Sequence, residues 1–165
     1  VQEVHQPLKV DVVARLCQHW DGVVEIVCTL GVTQFIQILG ASTCCHIEKE
    51  EAVHVEVGDI VLLTSPFEGL EQPWLSPETC RWLVEDRKIK LLGIGPGILW
   101  HYQEKLPAPN NSPVKRIMLG ANVPIVHPLV NINSLTKTRV FYISMPLRMT
   151  KMEASFTRAI ALEQV

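Results

Sequence analysis

The sequence is poor in several things, and each scarcity excludes a class of protein. Charged residues make up only 19% of the 165-residue chain, and the net charge is −2. With 47% hydrophobic residues beside it, that composition excludes a disordered chain and supplies enough apolar material for a core. There is no basic excess, so non-specific binding to nucleic acid or to an anionic membrane lacks its electrostatic basis. No apolar run approaches the roughly 18–20 residues of a spanning helix. No charged-then-apolar leader is visible after Val1, which reads as a processed start or the beginning of a fragment. No C-x-x-C pair occurs among Cys17, Cys28, Cys44, Cys45 and Cys80. An odd set without that spacing argues against a secreted disulfide framework. The cysteines read as small buried hydrophobes in a reducing compartment, and the expected location is cytoplasmic.

What is present reads as one α/β domain over 1–165. Leu8–Leu16 and Val23–Thr29 are β-branched runs, Gln34–Leu39 is a short helical or extended piece, and Ser42–Ile47 is a short strand. Asp59–Thr64 (DIVLLT) is continuously apolar, as in a strand buried on both faces. Ser76-Pro77-Glu78 combines an N-cap, a first-turn proline and an acid at the positive helix end. Cys80, Leu83 and Val84 then share one helix face. Lys90–Ile94 is the next strand, so the pair with its intervening helix is a βαβ unit with parallel strands. Val114–Leu119 is a helix stopped at Gly120. Val123–Val126 is an edge-like strand because of Pro124. Val140–Leu147 and Thr157–Leu162 are closing strands. The long proline-rich stretch from Pro96 to Pro113 is the kind of loop that carries function.

Several stretches in order then show a resemblance. Gly58–Thr64 (GDIVLLT) resembles "GDIVLLRT" of the cyclase family that includes bacterial kynurenine formamidase and isatin hydrolase. Leu75–Glu78 with Trp82–Val84 resembles its "LSPEAAEWLAE" helix, and Lys90–Ile94 its "KLVGID". Met118–Val126 (MLGANVPIV) resembles "LLGAGIPIVE", Leu129–Asn131 the "L-x-N" that follows, Ile143–Arg148 "ALPLKI", and Glu153–Ala161 the closing "GSPVRAIA". The resemblance implies a single cyclase-like domain, of swivelling β/α/β type, with a mixed sheet. It also implies homodimers or larger assemblies with pockets near the subunit interface. Eight residues precede Lys9, so the N-terminal part of the family fold is expected to be absent.

The family's chemistry rests on a metal motif, H-x-G-T-H-x-D-x-P-x-H, with a His before "LLGAG" and a Glu closing "PIVE". In register, Lys9 stands at the first His, Val13 at the second, Arg15 at the Asp, and His19 keeps the last His. Downstream, Lys115 stands at the His and His127 at the Glu, while Gly95 stands at the Asp of "GID". Lysine and arginine are not ligands at neutral pH, and valine has no lone pair. The expectation is therefore a cyclase scaffold without its catalytic metal, acting as a non-catalytic binding or structural protein with no cofactor. The alternative is an active amidohydrolase of an aryl formamide or cyclic amide. Its rebuilt zinc or manganese site would use His19, His127 and Cys17.

His19 and His127 are the candidate catalytic-type residues. Trp20, Trp100 and Lys115 are candidate pocket residues for a small aromatic ligand, and Lys9 with Arg15 could form a small anion site. His5, His46, His54 and His101 have no partner spacing and read as structural or exposed. Gly93-Ile94-Gly95-Pro96-Gly97 lacks the Lys-Ser/Thr end of a phosphate loop, and there is no G-x-S-x-G nucleophile elbow.

Overall fold

A computed structural model describes residues 9–17, 29–37, 46–47, 55–99 and 112–163, the first three spans as main chain. The elements run β1 (Lys9–Cys17), β2 (Thr29–Gln37), β3 (His46–Ile47), β4 (Ile60–Thr64), β5 (Trp74–Leu75), α1 (Pro77–Glu85), β6 (Leu91–Ile94), α2 (Pro113–Gly120), β7 (Ile125–Val126), β8 (Arg139–Pro146) and β9 (Ala154–Leu162). Single 3₁₀ turns lie at Gly69–Glu71 and Ile132–Ser134. β3 and β5 form a separate parallel pair.

The apolar run of β4 has its expected cause: all five residues are buried, and the two faces serve two cores. Ile60 and Leu62 join Leu91, Val126, Val140 and Tyr142 in one. Val61 and Leu63 join Leu92 and Ile94 in the other, against Cys80 and Leu83 of α1 and Val114 and Met118 of α2. The Ser76 hydroxyl accepts the Thr79 N–H at 3.0 Å, as the sequence implied for an N-cap. β4 and β6 are parallel neighbours, so the βαβ unit is present.

The sheet is mixed. β2, β4, β6 and β7 are parallel in that order; β8 is antiparallel to β2 and β9, and β1 is antiparallel to both β9 and β7. These pairings close the sheet into a ring.

One local expectation is corrected. β7 is not an edge strand: it pairs with β6 on one side and β1 on the other. Pro124 is harmless because it lies just before the strand, and its carbonyl accepts the Leu92 N–H at 3.0 Å. Of the two readings of Gln34–Leu39 the extended one holds, since Gln34–Gln37 completes β2. The helix stop expected at Gly120 is present: Gly120 is the last residue of α2, and Asn122 beyond it is left-handed (φ 59°). The readings at Val23–Cys28 and Ser42–Cys45, and most of the Pro96–Pro113 loop, lie outside the described residues.

Candidate functional site

The parallel strands β4, β6 and β7 end together, and in α/β folds, open or closed, ligands bind beyond such carboxyl ends. At this edge β4 contributes Thr64 and Ser65, β6 leads into Gly95-Pro96-Gly97, and β7 leads into His127. The chain after β7 folds back across the edge. The Leu129 N–H donates to the Ile94 carbonyl at 2.8 Å, and the single proton of the Thr64 hydroxyl is shared between Asn133 Oδ1 at 2.8 Å and Pro96 O at 3.0 Å.

The glycines explain how closely these segments approach. A Cβ at Gly95 would come within 2.6 Å of Ile132 Cγ2 and 3.2 Å of the Leu63 carbonyl oxygen. Gly97 has φ 78°, and a Cβ there would collide with the Ser65 main chain. The aspartate that the family pattern has at the Gly95 position is therefore sterically excluded here.

His127 is half-buried and joined to Pro128 by a cis peptide bond. Its imidazole pKa is lowered to about 4, first by burial and second by the Lys115 ammonium. Both causes act against a positive charge. Lys115, on the first turn of α2, is half-buried rather than a plainly solvated helix residue. The structure thus brings together two of the residues singled out in the sequence. His127 is a neutral ring at neutral pH, able to donate from one nitrogen and accept at the other.

The remaining candidates divide by what is described. Leu16 of β1 pairs with Val126 of β7, so position 15 is the next step along β1 toward the level of His127. Lys9, Val13 and Arg15 face Leu162, Arg158 and Phe156 across the β1–β9 ladder. The latter two are positions that β9 exposes. Their own side chains, and that of Cys17, lie outside the described residues, as do His19, Trp20 and Trp100 altogether. Among the described residues, no group of three or more His, Cys, Asp or Glu side chains could hold a metal ion.

Sequence reasoning missed the Thr64–Asn133 bond and the tight seat of Gly95. The Gly-x-Gly-Pro-Gly spacing was a visible signal, and its meaning is close packing of a returning segment.

The sequence matches no protein-family profile and no curated protein. Solved structures do match in fold. A "predicted metal-dependent hydrolase" from Bacillus stearothermophilus superposes with a TM-score of 0.65 at 16% identity, covering 96% of this chain and 88% of that one. Isatin hydrolase A from Ralstonia solanacearum gives 0.61 at 18% identity, over 81% of this chain and 60% of that one. A "potential metal-dependent hydrolase with cyclase activity" gives 0.61 at 19% identity, over 82% and 66%. The chain thus spans less than two thirds of the length of two of these three structures.

Proposed function

We propose that this chain, which shares its fold with cyclase-type metal-dependent hydrolases, is a non-catalytic scaffold that binds a small aromatic ligand at the carboxyl edge of its parallel strands. The observation that carries this reading is the Lys115 ammonium, close enough to His127 to help hold its imidazole uncharged. A field that disfavours a proton on His127 also disfavours a divalent cation there. A neutral imidazole beside an ammonium suits a ligand with a carbonyl or carboxylate attached to an apolar ring. The ring would lie against apolar wall, and the polar end would take both hydrogen-bond donors.

A second reading has its own observation. A metal ligand must be deprotonated, and His127 meets that condition at neutral pH. On this reading His127 joins His19 and Cys17 around zinc or manganese, and the protein hydrolyses an aryl formamide or cyclic amide. Elemental analysis of the purified protein, with hydrolysis assays on N-formylkynurenine and isatin, separates the two. The scaffold reading expects substoichiometric zinc and manganese and no turnover. Stoichiometric metal with turnover abolished in His127→Ala would overturn it.

We place the protein in the cytoplasm on its cysteines: Cys80 is fully buried, and burial pushes its thiol up to about 12, so it behaves as an inert hydrophobe. Among the described residues, no helix is long and apolar enough to cross a membrane.

A further inference from the structure

Methionine is scarce in this chain and unevenly placed. Of its four methionines, Met145, Met149 and Met152 fall within the eight residues 145–152, and Met118 lies apart. The structure divides them by environment as well. Met118 is fully buried and joins the core under α1 and α2. Met145 and Met152 are 43% and 44% exposed, Met149 is half-buried, and none of the three belongs to either core. All three sit at one hairpin. Met145 is the next-to-last residue of β8, on the outward side, next to the buried Ser144. Met149 and Met152 lie in the connection to β9, on either side of the reversal at Thr150 and Lys151, where Lys151 is left-handed (φ 60°). Each side chain is unbranched with three rotatable bonds, so three sulfurs on one short connection can gather on a single ion.

We propose that the β8–β9 connection is a binding site for a soft monovalent cation, copper(I), held by the Met145, Met149 and Met152 thioethers. The donors choose the metal. A thioether is uncharged, has no proton to displace and is polarisable, which suits copper(I) and its analogue silver(I) rather than magnesium or calcium. The stretch from 145 to 152 supplies no histidine, cysteine or carboxylate, so zinc and the hard cations find no ligand of their own there. The lack of a His, Cys, Asp and Glu cluster among the described residues concerns donors other than these. Charge narrows the choice further. Arg148 and Lys151 in the connection, and Arg158 opposite Met145, are cationic, and Glu153 offsets one of them. Their repulsion of a divalent ion is twice that of a monovalent one. All four side chains are exposed, so solvent screens them, and the repulsion weakens the site without abolishing it. The site shares no residue with His127 and Lys115, so it stands or falls apart from the ligand proposed for the carboxyl edge.

Silver(I) titration of the full chain, with carbon-13 in its methionine methyl groups and in chloride-free buffer, tests the site. Single methionine-to-leucine variants assign the methyl signals, leucine being close to methionine in volume. If one variant fails to fold, the others complete the assignment by elimination. Silver also binds thiolates, so the titration runs past the equivalents that the five cysteines can take. The Met145, Met149 and Met152 signals are expected to move together along one saturable curve while Met118 stays in place. Copper(I) under anaerobic conditions should move the same three signals, and zinc or calcium none. Met149→Leu should weaken binding at the remaining two by at least about tenfold, since losing a ligand costs no less than losing the outer-shell partner of one. Signals that move along separate curves overturn the proposal, as does movement of fewer than three of them. So does a failure to saturate below millimolar free silver, or an equal response to zinc.

Discussion

Burial and the Lys115 ammonium both oppose a proton on His127, and the consequence is measurable at that one ring. An ordinary histidine titrates near 6.5, and this one near 4. The sign follows: the folded protein holds a neutral imidazole where the unfolded chain holds a protonated one. The stability this contributes is present above about 6.5 and is lost as pH falls from there through about 4. Histidine C–H chemical shifts followed from pH 8 to 3.5 should show the His127 midpoint near 4, and Lys115→Gln should raise it. An unmoved midpoint would detach Lys115 from the site. Tyr142 makes a contrasting case. Its ring is fully buried, and its hydroxyl has no hydrogen bond of ordinary geometry. Burial pushes the phenol up to about 12, with a small opposing pull from Ser144, whose own hydroxyl pairs with Thr157 at 3.0 Å. Deleting an unpartnered buried hydroxyl removes a desolvation penalty and no bond. Tyr142→Phe is therefore expected to leave the urea midpoint unchanged or raise it, while Tyr142→Ala should lower the midpoint, costing about 3–5 kcal/mol of stability.

Elements were legible where a single local rule decided them. The α1 start follows from Ser76-Pro77-Glu78, and removing the cap in Ser76→Ala should cost about 1 kcal/mol in denaturant unfolding, with Ser76→Asp restoring most of it. β4 and β6 follow from continuous apolar runs, and β8 and β9, also expected as strands, alternate buried and exposed positions in the structure. The misreading came from a rule that depends on neighbours. Pro124 suggested an edge because a proline cannot donate inside a ladder, but the ladder begins one residue later. The carboxyl-edge site was half legible. His127 and Lys115 were found through the VPIV anchor, whereas the Gly95 seat depends on Ile132, which no local pattern ties to it. Gly95→Asp tests that seat: the side chain collides with Ile132, so the variant should unfold at clearly lower urea than the parent.

At the scale of the whole molecule, one carboxylate joins distant parts of the chain. Glu163, just past β9, is only 6% exposed. It accepts the Thr136 N–H at 2.6 Å, the Lys137 N–H at 2.8 Å and the Thr136 hydroxyl at 3.0 Å. Burial alone would raise its pKa, but the Lys137 and Thr136 hydrogen bonds, with the Lys137 charge, bring it below the usual carboxylate range. A depressed carboxylate contributes stability that is present above its unfolded pKa, near 4.5, and is lost as pH falls through the folded one. Glu163→Gln should cost about 1–3 kcal/mol at pH 7, and the gap to the parent should narrow at pH 3. Urea melts at the two pH values read both. The parallel part of the sheet was legible in the sequence through the βαβ unit, and its mixed character only through the family resemblance. Its closure was not, because that depends on β1 finding both β7 and β9, pairings that no local window contains.

The β1–β9 ladder has a consequence for how the protein is made. It runs through nine consecutive residue pairs, from Lys9–Leu162 to Cys17–Ala154, and joins the first described strand to the last. A nascent chain emerging from the ribosome holds β1 without this partner until almost all of the described sequence has been synthesised. Contacts so distant along the chain are slow to form, because the loop entropy is lost before any bond is gained. During that interval β1 is an unsatisfied strand, exposed to chaperones and to other nascent copies. The final residues of β9 therefore act as the lock of co-translational folding. Chains stalled before Ala154 should remain protease-sensitive throughout, and chains released after Glu163 should acquire resistance in a single step.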